Sequence, residues 1–171
     1  RGAKYFKSGD INGLSKAILE AIIDIDEKNI QYNQNNIIRI TKGLHFHKIK
    51  NEKKLLENHF LISANSDRMG LRLTDNIIKL NNSDEIESTV VTKGSIQIPR
   101  DGNPIILMSD SQSTGGYPIL GNICRVDISK VSQIQPNKKF IFKYISINES
   151  KRLIEYEKRK FKSKLNIDLS S

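Results

Sequence analysis

The chain has 171 residues, with 28 Lys and Arg against 19 Asp and Glu, a formal charge of +9. That length suits one domain with room for a core, no apolar run approaches the roughly 18 to 20 residues that cross a bilayer, and the start "RGAKYFKSGD" lacks the apolar stretch of a signal peptide. The lone cysteine, Cys124, excludes an internal disulfide and a CxxC metal site, and fits a reducing cytoplasm.

In chain order, "GLSKAILEAIIDI" sets Leu14, Ile18, Ala21, Ile22 and Ile25 at helical spacing, although Ile-rich runs also make strands. "IQYNQNN" is a polar loop, and "IIRIT" (Ile37 to Thr41) reads as a strand. "NEKKLLENHF" reads as a short helix with Asn51 at its N-cap. "FLISAN" and "LRLT" are strand-like and bracket "SDRMG"; "NIIKLNNSD" ends in a turn. "ESTVVTKGSIQIP" is β-rich, and its isolated Gly94 signals a bulge or a close backbone approach. "PIILMSD", "NICRVDIS" and "KKFIFKYISI" are further strands, with a helical turn in "SKVSQIQPNK" closed by Pro136. From Asn148 the tail reads as one basic helix, with Leu153, Ile154 and Phe161 towards the body and Lys and Arg towards water. Many short strands with frequent turn signals predict a mainly β barrel or sandwich with a few short helices and a C-terminal helix. The boundary falls between a barrel domain over 1–147 and a basic tail over 148–171. The missing initiator Met points to a fragment.

A basic balance attracts anionic partners. Here much of the excess sits in the tail, and no aromatic residues interleave the charges to stack bases, so no nucleic-acid partner is expected. No P-loop, GxGxxG or Ser-His-Asp order is present.

The densest polar constellation is "GSIQIPRDGNPIILMSDSQSTGGYP", Gly94 to Pro118. Pro99, Asp101, Gly102 and Pro104 make a tight turn. Gly115 and Gly116 let the backbone approach a ligand, and their amides can converge on an anionic oxygen. Ser113 and Thr114 add hydroxyls, and Gln97 and Gln112 each carry a donor and an acceptor for a planar amide, urea or carboxylate. The same residues also suit an ordinary turn-rich hairpin, and spacing alone does not decide. In "ANSDRMGLRL", Arg68 and Arg72 can pair with a carboxylate. Asp67 serves as a base or locks an arginine; the alternative is a structural Asp–Arg pair at a barrel corner. Met69 is a core candidate. His45 and His47 flank Phe46 and on a strand would share one face, a spacing that can hold zinc with His59 as third ligand. No acidic ligand lies nearby, so solvated histidines and no metal are the simpler reading. Cys124 in "NICRV" reads as a buried, inert thiol.

"SDRMGLRL" followed by "GSIQIPRDGNPIILMSDSQSTGGYP" closely resembles the KipA family, whose pattern is SDRMGxRL and then GxIQxPxDGxPIxLxxDxQTTGGYP. Members are described as biotin-dependent carboxyltransferase family protein, allophanate hydrolase subunit 2, urea amidolyase-related protein or the C subunit of 5-oxoprolinase. The resemblance covers the family's C-terminal half and implies a cyclophilin-like β-barrel. It implies a subunit of a cytoplasmic, ATP-dependent 5-oxoprolinase that turns 5-oxoproline into glutamate. The partners would be a KipI-like subunit (the B subunit) and a lactam-hydrolase subunit (the A subunit), with ATP entering through the complex and the fragment alone inactive. Two alternatives stand: the carboxyltransferase component of a urea carboxylase using a biotin carrier, or a non-catalytic regulatory binding module. By motif position Gly115, Gly116 and Gln112 take the catalytic role. Arg68, Arg72, Asp67, Gln97, Asp101, Ser113, Thr114 and Tyr117 bind substrate, the two loops meeting at the mouth of the barrel. The chain departs from the family at Asn65 (Gln), Leu71 (Tyr), Ser111 (Arg) and Ser113 (Thr), and reads Leu44-His45 where the family has Pro-Gln. These changes alter the side chains expected to set substrate choice and activity.

Overall fold

A computed structural model describes residues 37–81 and 86–165, so the helix expected over Leu14 to Ile25 lies outside the described residues. Apolar residues at every second position give strands with one buried face. β1 (Ile37–Lys42) buries Ile38 and Ile40, β2 (His59–Ile62) buries Phe60 and Ile62, and β3 (Gly70–Thr74) buries Leu73. Helix α1 (Glu52–Glu57) precedes β2. Then follow β4 (Thr89–Val90), β5 (Ser95–Gln97), β6 (Ile105–Leu107), β7 (Thr114–Gly115) and β8 (Ile119–Ile123). A 3-10 turn over Arg125–Asp127 leads into α2 (Ile128–Ser132), then β9 (Lys139–Tyr144) and α3 (Ile147–Leu165).

Seven strands close a barrel in the order β1-β8-β5-β6-β3-β2-β9. An odd ring cannot alternate direction throughout, so one neighbouring pair must be parallel. That pair is β1–β9, with Ile38 beside Phe142; the other neighbours are antiparallel. Three rings fill the interior: Phe60 lies 6.1 Å from Phe140 and 5.1 Å from Phe142, and Phe140 meets Phe142 edge-on at 87°. Such pairs add about 0.5–1.5 kcal/mol beyond the area they bury. Ile38, Ile40, Leu73, Ile96, Ile106 and Leu120 complete this core.

Gly43 lets the chain leaving β1 lie flat on β8. Its N–H donates to Leu120 O at 2.9 Å, and a Cβ there would sit 2.6 Å from Ile119 O and 2.7 Å from Gly121 N. Gly94 adopts φ 90°, turning the chain into β5 while its N–H reaches Leu107 O at 2.8 Å. The ladder irregularity lies further on, between Ile96 and Gln97, where Leu120 of β8 is the extra residue.

Buried Asp127 ties β1 to the turn before α2. Its carboxylate accepts from Arg39 N and Nε, each at 2.8 Å, and from Nη2 at 2.6 Å. This bonding raises the Arg39 pKa above its ordinary value. At the start of α3, Ser146 and Glu149 form a capping box, with Glu149 N donating to Ser146 Oγ at 3.1 Å and Ser146 N to Glu149 Oε2 at 3.2 Å. Cys124 is buried with Sγ 3.2 Å from Ser150 Oγ. Leu153 and Ile154 are half-buried, but Phe161 is 45% exposed, against expectation. The helix meets the Arg125–Asp127 turn, and Phe161 lies three turns beyond Ser150. Among the described residues no helix is long and apolar enough to cross a membrane.

Candidate functional site

The "SDRMG" segment is the β2–β3 hairpin loop, and its polar atoms are largely committed to holding its shape. Asp67 Oδ1 accepts from Met69 N at 2.8 Å and Gly70 N at 3.0 Å, and Ser66 Oγ accepts from Arg72 N at 3.0 Å. Arg68 is 86% exposed and pairs with Asp110, Nε to Oδ2, at 2.9 Å. Backbone bonds run beside this pair, from Met108 N to Met69 O at 2.9 Å and from Asp110 N to Arg68 O at 3.2 Å. Arg72 points outward from β3, and its charge helps lower the Asp101 pKa, after the larger effect of hydrogen bonds from Asn103. The two arginines thus form no common clamp, because Arg68 sits in the turn and Arg72 on the strand. The "SDRMG" loop meets the second motif at Asp110, five residues ahead of the glycines.

Those five residues carry the chain onto the outer wall of the barrel. Ile96 of β5 faces the core, so Ser95 and Gln97 face outward. Gln97 is nevertheless only 2% exposed. A two-stranded ribbon, β4 paired with β7, accounts for this burial: its Gly115 lies directly over the Gln97 side chain. Thr89 stands opposite Gly115, and Val91 N donates to Ser113 O at 2.9 Å. Hydrogen-bonded pairs alternate along an antiparallel ladder, so Thr89–Gly115 is again such a pair. The Gly115 amide is committed to the ribbon, and the residue's contribution is its missing side chain. A Cβ on Gly115 would sit 2.5 Å from Gln97 Nε2 and 3.6 Å from Gln112 Nε2.

Cross-strand partners project to the same face, so the Thr89 side chain points the way the Gly115 Cβ would, towards Gln97. Both Gln97 Nε2 and Thr89 Oγ1 are buried without a hydrogen-bond partner. An unmet buried donor costs about 1–3 kcal/mol, and an amide N–H beside a hydroxyl suits a carbonyl or carboxylate oxygen. The structure therefore gathers Gln97, Gln112 and Gly115, and adds Thr89, which sequence reading missed. "STVV" signals only a strand, and its pairing with the glycine loop is a tertiary event. Ser113 and Thr114 are exposed beside this group. The site lies under a ribbon on the barrel's flank, not at its mouth as expected, because large side chains fill the interior.

Gly116 faces the other way, towards Ile86 O and Ser88 Oγ. From Gly116 to Pro118 the chain borders a cleft of about 590 Å³. Asp101, Gly102 and Tyr117 line it with Lys50, Lys79 and Arg100, none of the three cations singled out in the sequence. Asp101 Oδ1 accepts from Asn103 N and Oδ2 from Asn103 Nδ2, each at 3.1 Å.

His45 anchors the exit of the glycine loop. Its Nδ1 accepts from Ile119 N at 3.0 Å, and its own N–H donates to Ile119 O at 2.9 Å. Burial, then the nearby Lys48 and His47 charges, lower its pKa, keeping the ring neutral. The expected strand is instead a 3-10 turn over Phe46–Lys48, so His45 is buried and His47 exposed. His59 is exposed on β2, and no group of three metal-ligating side chains forms among the described residues.

Comparison with known proteins identifies the family. The profile of the carboxyltransferase domain, subdomains A and B, matches residues 8–144. The chain belongs to that family. The C subunit of 5-oxoprolinase from Haemophilus influenzae is 36% identical over 96 residues, covering 56% of this chain and 31% of the relative. The corresponding 5-oxoprolinase C subunit of Escherichia coli is 31% identical over 128 residues, covering 74% of this chain and 41% of the relative. The chain thus matches well under half the length of each. The Kluyveromyces lactis urea carboxylase structure superposes on 82% of this chain and 14% of its own, with a TM-score of 0.71 and 23% identity. The K. lactis urea amidolyase gives the same TM-score and identity, with 9% of its own chain covered. These likenesses support the barrel assignment.

Proposed function

We propose that this chain is part of the C subunit of an ATP-dependent 5-oxoprolinase. It would open the lactam of 5-oxoproline to glutamate together with a KipI-like partner and a lactam-hydrolase subunit, in the cytoplasm. The observation that carries this reading is the buried Gln97 carboxamide, whose N–H has no partner beneath Gly115. When a lactam carbonyl is attacked, its oxygen gains negative charge. Donors fixed in advance in a water-poor site stabilise that charge by about 3–4 kcal/mol each. Gln97 and Thr89 supply such donors, and Gln112, more exposed, reads the amide edge at the entrance. Ser113 and Thr114 offer further hydroxyls there. Asp67, Arg68 and Arg72 act as structural and surface groups on this reading. ATP enters through the complex and supplies the driving force for ring opening.

The test is 5-oxoproline turnover by the reconstituted complex carrying Gln97→Met in the full-length subunit. The expected result is a fall in kcat of about 100-fold; full activity removes the site from the reading. A second reading draws on the family's own description: transfer of a carboxyl group from a biotin carrier to urea or a related amide. Turnover in a biotin-free assay excludes it. Capture of the KipI-like partner with no turnover under either condition favours a regulatory binding module.

A further inference from the structure

The cleft beside Gly116 carries a charge pattern that needs a cause. Ile49 bridges Leu80 in antiparallel sense, and Lys50 N donates to Lys79 O at 2.9 Å, so the two lysines stand directly opposite each other. Like charges in that relation are destabilising. Arg100 lines the same cleft. Among the described residues the ion pairs are Arg39–Asp127, Lys42–Glu52 and Arg68–Asp110, so none of these three cations has a carboxylate partner. The acid on this wall, Asp101, spends its oxygens on Asn103 within its own turn. The wall is fixed: Ile78 N donates to Gly102 O at 2.9 Å, and Gly102 holds φ 79°. The half-exposed Tyr117 offers a ring as a flat surface. A volume of about 590 Å³ is ample for a small molecule.

We propose that this cleft binds the carboxylate of a small planar ligand, with Lys50 and Lys79 taking the charge, Arg100 at the rim and Tyr117 against the flat face. The inference rests on the reading above, since Gly115 and Gly116 are adjacent and join the cleft to the Gln97 group. It assigns acid selectivity to cations outside both sequence motifs, in place of Arg68 and Arg72.

The test is calorimetric titration of the full-length subunit with 5-oxoproline and with 2-pyrrolidone, the same lactam without the carboxylate. The wild type should bind the acid at least about tenfold more tightly. The double variant Lys50→Gln with Lys79→Gln, both exposed positions, should keep or raise its Tm and keep its affinity for 2-pyrrolidone while losing that preference. Equal binding of the two lactams by the wild type, no binding of either, or acid preference surviving in the variant overturns the proposal. The two readings separate in the assembled complex. Turnover with unchanged KM in the double variant removes the cleft and leaves the hydrolase; acid-selective binding without turnover keeps the cleft and removes the hydrolase.

Discussion

Replacing Gln97 by Met separates a ligand-binding amide from a structural one. Gln97 is 2% exposed, and its Nε2 has no partner. An unmet buried donor costs about 1–3 kcal/mol. Met has a similar length and flexibility without the polar atoms, and an imperfect fit costs less than about 1.5 kcal/mol. The balance favours the variant by about 1 kcal/mol, which raises Tm by about 2–4 °C for a domain of this size. Thermal unfolding followed by circular dichroism measures the shift, and 5-oxoproline turnover by the assembled complex should fall with the same substitution. A gain in stability with a loss of function is the signature of a polar group kept for a ligand. A Tm drop of several degrees would mean that Gln97 holds the fold together, and the donor argument fails.

The adjacent glycines should behave differently. Gly115→Ala drives a methyl into the Gln97 amide and should abolish ligand binding at a stability cost of about 1–3 kcal/mol, whereas Gly116→Ala meets nothing nearer than 3.4 Å and should leave Tm unchanged in the same melt. The His45 pKa lies below its ordinary 6.5, so the stability its neutral ring provides is present above that value and lost as pH falls through the lowered one. His45→Gln keeps an acceptor for Ile119 N–H without titrating, so the Tm difference between variant and wild type should grow in the variant's favour from pH 7.5 to pH 5; a constant difference refutes the role.

Strands were legible in the sequence where alternation is strong. Phe140 and Phe142, or Ile38 and Ile40, declare one buried face without any knowledge of their neighbours. Gly115 was legible because two adjacent glycines after an apolar strand are costly unless the backbone must approach something closely. What it approaches was not legible. Gln97 looks like the polar half of an alternating strand, and only the covering ribbon makes it a buried amide. Thr89 joins it through a two-residue pairing that no local pattern specifies. The arginines part for a related reason: Arg68 sits in the turn that Asp67 holds and Arg72 on the strand that follows, a difference their spacing does not reveal. The His45–Phe46–His47 run suggested a strand, yet a tight 3-10 turn with one buried ring satisfied the backbone better.

The barrel's own packing explains why the buried polar group of Gln97 and Thr89 lies on its flank. Its interior is closed by three phenylalanines and a shell of Ile and Leu, so a ligand cannot be held inside without losing that core. On the outside, polar groups ordinarily face water, where a hydrogen bond contributes little net free energy. A covering strand changes this by excluding water. The segment from Asp110 to Ile119 is held at both ends: Arg68 grips Asp110, and His45 grips Ile119 by one bond through its ring and one through its backbone. Between these anchors β7 pairs with β4 and sets Gly115 over Gln97. Each anchor alone is modest, and an exposed ion pair such as Arg68–Asp110 contributes at most about 1 kcal/mol. Their value lies in position, since a shift of the ribbon by one residue that brought Thr114 to this place would set a side chain where Gly115 now lies against the Gln97 amide. On the proposed reading Arg68 and His45 therefore act as positioning residues for the ribbon over Gln97.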